Sequence, residues 1–205
     1  MAIEDFVPCR NEDVNKILKF TAEIDKMTSV LRRTMLIDKS RRENDAEHSW
    51  HIAVMAILFE KFAPTGTDIS RAVKMCIVHD LVEIYAGDTF AYDINGNKSK
   101  AEREVKAADK LFGMLPEDVG KEIRLLWEEF DRMETPDAKY AACMDRIQPY
   151  LHNTLTDGHT WVEGKVSKTQ VLERSGVIEE TLPEVWDWVL KNVENGVKNG
   201  WIADK

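Results

Sequence analysis

His79 and Asp80 stand side by side in the run Met75-Cys76-Ile77-Val78-His79-Asp80-Leu81-Val82-Glu83-Ile84, and this constrains the fold more than any other feature. The apolar neighbours seek the interior and carry the imidazole and the carboxylate with them, where an unpaired charge is costly. Something elsewhere in the chain must meet them. Taken alone, the pair allows two outcomes: a hydrogen-bonded core histidine beside a local salt bridge, or half of a divalent-cation site, for which imidazole and carboxylate are both good ligands.

The periodicity around this run is helical. Val14, Ile17, Leu18, Ile24, Met27, Val30 and Leu31 recur at spacings of three, four and seven, predicting a first helix over 13–31 that delivers a basic loop over 32–44. Glu43-Asn44-Asp45 can cap a second helix over about 45–62, with His48 in its first turn, and Asp68 can cap a third running through His79-Asp80 to about Tyr85. Gly87 to Asn97 reads as an ordered loop at that helix's exit, a position from which loops line sites. Ser99 to Glu102 has the pattern of a capping box opening a helix to about Phe112, and Pro116 fits the first turn of another to about Met133. Thr135-Pro136 starts a sixth helix around Asp145, which Pro149 should kink or end. Capping patterns at Ser167 to Gln170 and Thr181 to Glu184 open the last helices, where Trp186, Val189, Leu190, Val193 and Val197 form a core stripe. No strand, hairpin signal or repeat stands out. The expected fold class is all-α.

A chain of 205 residues with 43% hydrophobic and 32% charged content suits a single domain over 1–205, and no apolar run approaches the roughly 20 residues that cross a bilayer. The opening Met1-Ala2-Ile3-Glu4-Asp5-Phe6 has acids where a secretory leader needs bases, so a cytoplasmic location is expected. Cys9, Cys76 and Cys143 lack the C-x-x-C spacing of disulfide frameworks or structural zinc sites and are expected as buried free thiols. A net charge of -9 disfavours nucleic acid as a partner. Against that trend, Arg32, Arg33, Lys39, Arg41 and Arg42 face only Asp38 within one short segment, which suits a small anionic ligand.

His48, the His79-Asp80 pair and Asp145 are each embedded among apolar residues on separate predicted helices, which a bundle can bring together. Two imidazoles and two carboxylates leave room in an octahedral shell for water and a substrate oxygen. This H…HD…D order resembles the HD-domain phosphohydrolase superfamily, a helical-bundle fold. Within it, the chain is most similar to the 5′-deoxynucleotidase-like branch, the YfbR-type enzymes and HD domain-containing protein 2. The features that carry the likeness are Arg33 ahead of His48, Glu43-Asn44 before Glu47-His48, Glu83 and Gly87-Asp88 after the pair, and Leu126-Trp127-Glu128-Glu129-Phe130. It spans a core of about 12–150, leaving 151–205 as a C-terminal helical extension.

The resemblance implies that His48, His79, Asp80 and Asp145 bind a divalent metal ion (Co, Mn, Ni, Fe, Zn or Mg), and that Asp80 and Glu83 are catalytic. Glu83 would orient or deprotonate the attacking water. Arg33 would hold the substrate phosphate, with Lys39 or Arg41 in support, and Asp88 would line the nucleotide pocket. Thr34 stands where bacterial members place a tryptophan, a departure that bears on sugar preference. The implied activity is hydrolysis of a small phosphate ester, a nucleoside 5′-monophosphate above others, by a homodimer without membrane partners. Trp186 and Trp188 cannot share one narrow stripe and hint at that dimer's interface. A cyclic-dinucleotide phosphodiesterase would need a Gly-Tyr-Pro signature and a di-iron oxygenase extra histidines between His79 and Asp145; the chain has neither. A (p)ppGpp hydrolase and a catalytically quiet nucleotide-binding scaffold are the alternatives. His51, His152 and His159 fall outside the pattern and are expected to be structural, at the surface, in polar loops or at helix ends.

Overall fold

The computed structural model describes residues 7–204, and its centre is the helix α8, Pro136–Leu155, whose Tyr140, Ala141, Cys143 and Met144 are fully buried. Thr135 caps it by accepting from the Ala138 amide, with Pro136 in the first turn where its missing N–H is not needed. Around α8 pack α2 (Asp45–Leu58), α3 (Ile69–Val78), α7 (Glu117–Arg132) and α10 (Lys168–Thr181). The interior fills with Ile52, Met75, Leu111, Leu126 and Ile178, and Tyr140 satisfies its hydroxyl on the Ala56 carbonyl at 2.8 Å. Before these come α1 (Glu12–Ile24) and a 3-10 turn at Asp25–Ser29; α4 (Glu83–Ala86), α5 (Ile94–Asn97) and α6 (Lys100–Phe112) lie between α3 and α7. The chain closes with α9 (His159–Gly164) before α10 and α11 (Pro183–Lys198) after it. No helix among the described residues is long and apolar enough to cross a membrane. Met1–Phe6, on which the leader argument rested, lies outside the described residues.

The all-α class holds, with one addition: the segment predicted as a basic loop is a small hairpin. Strand β1 (Leu31–Met35) pairs antiparallel with β2 (Arg42–Asn44), with a register irregularity between the Leu31↔Asn44 and Met35↔Arg42 partners. Asp38 folds the connection by accepting from the Ser40 amide and hydroxyl, and Lys39 takes a positive φ. Such a ribbon is marginal by itself. It holds because β1 lies against α8 and α9, with His152 donating from Nδ1 to the Met35 carbonyl at 3.0 Å.

Several local expectations are corrected. The first helix ends at Ile24 rather than continuing to Leu31, because the chain must turn into β1. The third ends at Val78, so His79 and Asp80 lie in a turn between α3 and α4 rather than inside one continuous helix. Pro149 does not end α8, because Tyr150 beyond it is locked in place. Its ring centroid is 5.2 Å from those of both Trp161 and Trp188, and its hydroxyl bonds the Val189 carbonyl at 2.7 Å. The predicted capping box forms at Ser167 and Gln170 but not at Ser99, whose side chain caps nothing, nor at Thr181, which closes α10 instead of opening α11. Cys9 is exposed, while Cys76 and Cys143 are buried and free as expected. Trp186 and Trp188 both pack against the core, which removes their hint of an interface.

Candidate metal centre

The turn after α3 exposes His79 and Asp80 to the first turn of α2 and the middle of α8. Asn44 and Glu47 form a reciprocal capping box that fixes where α2 begins, and so where His48 stands. His48 Nε2 lies 2.9 Å from Asp145 Oδ1, while His79 Nε2 lies 3.1 Å from Asp80 Oδ2 and 3.6 Å from Asp145 Oδ1. All four side chains are buried. Ligand atoms of His48, His79 and Asp145 all lie within 4.8 Å of one another, and Asp80 adjoins them through Oδ2, 3.1 Å from His79 Nε2 and 3.9 Å from His48 Nε2.

Hydrogen bonds on the far side of each ring determine what is presented there. His79 Nδ1 faces the Cys76 carbonyl at 2.9 Å, which can only accept, so Nδ1 carries the proton and Nε2 offers a lone pair. His48 Nδ1 faces Gln148 Oε1 at 3.0 Å. The amide is oriented by its other end, since Gln148 Nε2 donates to Glu43 Oε1 at 2.5 Å and contacts His152 Nε2 at 3.1 Å. His48 thus also turns a bare Nε2 inward. Two nitrogen lone pairs and two carboxylates then face one another, and His79 Nε2 is buried without a hydrogen-bond partner. Acceptors meeting acceptors demand a cation, either a proton on an imidazole or a metal ion. The mixed N/O donor set suits a divalent metal of the Mn to Zn series.

The charges follow from this crowding. Burial and the nearby Arg32 push His48 down to about 4. Burial acts downward on His79 as well, but the facing Asp80 and Asp145 outweigh it and raise it to about 10. Burial works against ionised Asp80 and Asp145 too, yet both are held below the usual carboxylate range, Asp80 chiefly by His79 and Asp145 chiefly by Arg146.

Beside this centre is a second group of acids. Oxygens of Asp45, Glu83 and Asp88 lie within 4.8 Å of one another, a further donor set able to hold a cation. Burial, then mutual repulsion with Asp80 and one another, raises Asp45 to about 7 and Glu83 well above its ordinary value. Asp45 Oδ2 and Glu83 Oε2 are buried without partners.

The ligands floor a solvent-open cavity of about 170 Å³. Arg33, Thr34, Glu83 and Asp88 line it with His79, Asp80 and Asp145, while His48 is buried beneath. Arg33 rests its guanidinium on Phe90, 4.6 Å from the ring centroid. Lys39 and Arg41 do not support it: they pair outward with Asp157 and Glu47 at the far end of the hairpin. The 87–97 segment does line the cavity, through Asp88, Thr89, Phe90, Ala91 and Tyr92.

Sequence reasoning passed over several contributors, Gln148 among them. Arg32, grouped only with the basic segment, donates to Asp80 at 2.8 Å and lies 3.4 Å from Asp45. Strand alternation would have separated it from Arg33, had the strand been legible. His152, expected in a loop or at a helix end, is buried within α8 beside Gln148. In the Leu126 to Phe130 motif it is the apolar residues that reach the site. Phe130 packs on His79 at 4.6 Å between centroids, whereas Glu128 and Glu129 pair with Arg124, Arg132 and Arg71.

Gln148 gives this site a specific vulnerability. Gln148→Leu keeps the volume but frees His48 to flip or take the other tautomer, and losing such an outer partner weakens metal binding by roughly 10–100-fold. Competition with a chromogenic chelator measures this, and unchanged affinity in a folded variant would contradict the role.

Comparison with known proteins agrees with this geometry. A family model described as HD domain matches residues 24–186, reaching past the 12–150 core into α11. The 5′-deoxynucleotidase HDDC2 of Homo sapiens is 28% identical over 136 residues, 66% of this chain and 65% of that protein, just under two thirds of its length. The Mus musculus protein of the same name is 24% identical over 175 residues, 80% of this chain and 86% of that one. A crystal structure described as a predicted metal-dependent phosphohydrolase from Magnetospirillum magnetotacticum is 42% identical, with a TM-score of 0.90 over 97% of this chain and 100% of that one. An HD-domain phosphohydrolase from Listeria innocua shares the fold at 16% identity, with a TM-score of 0.63 over 90% of this chain and 95% of that one. With the matched model covering most of its length, this chain belongs to the HD domain family.

Proposed function

We propose that this chain is a metal-dependent phosphomonoesterase that hydrolyses nucleoside 5′-monophosphates. The observation that carries the reading is the convergence of two bare Nε2 atoms with Asp80 and Asp145 on the floor of a cavity walled by Arg33. Family membership and the phosphohydrolase title of the 42%-identical structure support the reaction class; the names of the curated relatives support the nucleotide.

His48, His79, Asp80 and Asp145 would hold the divalent ion, which when bound lowers the pKa of a water and offsets phosphate charge. Arg33, braced on Phe90, grips phosphate oxygens with its planar fork. Glu83 presents a buried oxygen with no other partner, suited to accepting a hydrogen bond from the attacking water and then its proton. Arg32 stays bonded to Asp80 and fixes the carboxylate's orientation. Asp88 and Thr34 line the cavity and would face the nucleoside, with Thr34 offering a smaller side chain than a tryptophan at that position. The proposal includes a cytoplasmic homodimer; sedimentation at twice 23.5 kDa checks the dimer.

The test is phosphate release from ribo- and deoxyribonucleoside 5′-monophosphates and common sugar phosphates, with wild type and Arg33→Met. Nucleotides are expected to be the best substrates, and Arg33→Met to raise KM by about tenfold or more, as loss of a charged hydrogen bond implies. Cleavage of sugar phosphates alone would contradict the nucleotide reading. A KM unmoved in Arg33→Met would contradict the arginine's role.

A further inference from the structure

The cations lining the cavity are not all spent. Arg32 is bonded to Asp80, Lys100 to Glu104 at 3.1 Å and Arg146 to Asp145. Arg33 lies on an aromatic face and is assigned above to the scissile phosphate. One guanidinium remains: Arg174 of α10 lines the same cavity, and no hydrogen bond, ion pair or ring contact engages it among the described residues. Its surroundings add to the case. Burial and the like charges of Arg146 and Arg32 oppose its protonation and bring it down to about 10, against a weaker pull from Asp145 and Tyr92.

The position of Arg174 says which part of a ligand it would meet. It also lines an adjoining groove with Ala91, Tyr92, Ile94, Asn97, Gln170 and the carboxylate-bearing Glu173, which the metal-centre ligands do not reach. Arg174 therefore sits at the outer end of the cavity, where the alcohol portion of an ester bound at the metal centre would project. An unpaired guanidinium held near other cations gains most from an oxyanion that can take two of its N–H groups.

We propose that Arg174 forms a second anion subsite, and that the preferred substrate carries an oxyanion group, a second phosphate or a carboxylate, on the leaving-group side of the scissile phosphate. This rests on the phosphomonoesterase reading and deepens it by naming the substrate's charge pattern: nucleoside 5′-phosphates remain substrates, and those bearing a second oxyanion on the nucleoside are bound best. The subsite is supplied by the chain beyond the 12–150 core, so that α10 would set specificity for chemistry carried out by α2, α3 and α8.

The test uses metal-loaded full-length protein and phenyl phosphate as reporter substrate. Inhibition constants are measured for nucleoside 5′-monophosphates against 3′,5′-bisphosphates, and for sugar monophosphates against sugar bisphosphates and phosphorylated sugar acids. Wild type is expected to bind the doubly anionic member of each pair about tenfold tighter or more. In Arg174→Met that ratio collapses toward one, and in Arg174→Lys, which keeps the charge without the fork, much of it returns. A wild-type ratio near one, or one unchanged in Arg174→Met, overturns the subsite. The pairs separate the two proposals: a ratio among sugar phosphates with no inhibition by nucleotides contradicts the nucleotide and leaves the subsite standing, whereas inhibition by nucleotides with no ratio in either pair contradicts the subsite and leaves the nucleotide standing. The bisphosphate and sugar-acid arms distinguish a second phosphate from a carboxylate.

Discussion

Replacing Asp80 by alanine is expected to lower metal retention and phosphate release together. Asp80 stands in the turn between α3 and α4, with Oδ2 3.1 Å from His79 Nε2 and 2.8 Å from Arg32 Nη1, so one carboxylate supplies negative charge to the donor set and holds Arg32 beside it. Without it, two imidazoles and Asp145 form a weaker site, and Arg32 is left to Asp45 and Glu43. A metal's contribution to transition-state charge stabilisation is several kcal/mol, so turnover should fall by about a thousandfold or more. Elemental analysis of dialysed protein and phosphate release measure the two effects, with circular dichroism confirming that the helices remain. Wild-type turnover in Asp80→Ala would remove it from the site.

Glu83→Gln separates metal binding from turnover. The carboxyl is buried, and its oxygens lie within 4.8 Å of those of Asp45 and Asp88. Glutamine keeps its shape and loses its ability to take a proton. Metal content should stay at the wild-type level, while kcat drops by roughly 10²–10⁴, the usual worth of a general base. Thermal stability should hold or rise, because one member of a mutually repelling buried group can no longer ionise. An unchanged kcat would contradict the role, and loss of metal with activity would make Glu83 a ligand.

The helices and the convergence of His48, His79, Asp80 and Asp145 were legible because both rest on local facts: apolar periodicity, and polar groups embedded in apolar runs that need partners. What was not legible depended on contacts between distant segments. The hairpin over 31–44 carries mostly charged residues and gains its stability from α8 and α9, so period-two alternation never showed in the sequence. Pro149 reads locally as a helix end, and only the clamp of Trp161, Trp188 and Val189 on Tyr150 reveals that α8 continues. Gln148 and His152 are unremarkable letters until Glu43 and His48 are placed against them from α2 and the hairpin. Arg32 and Arg33 differ only in which side of β1 they leave from, and that decides which one meets Asp80 and which one stays free for a ligand.

The most direct test of the central claim is phosphate release from nucleoside 5′-monophosphates by one preparation of the protein, assayed as purified, after stripping with a chelator, and after return of Co, Mn, Ni, Fe, Zn or Mg singly. The account predicts that stripping silences the protein, that at least one transition metal restores turnover, and that the same addition does nothing for Asp80→Ala. Full turnover by protein shown to be free of metal would contradict it.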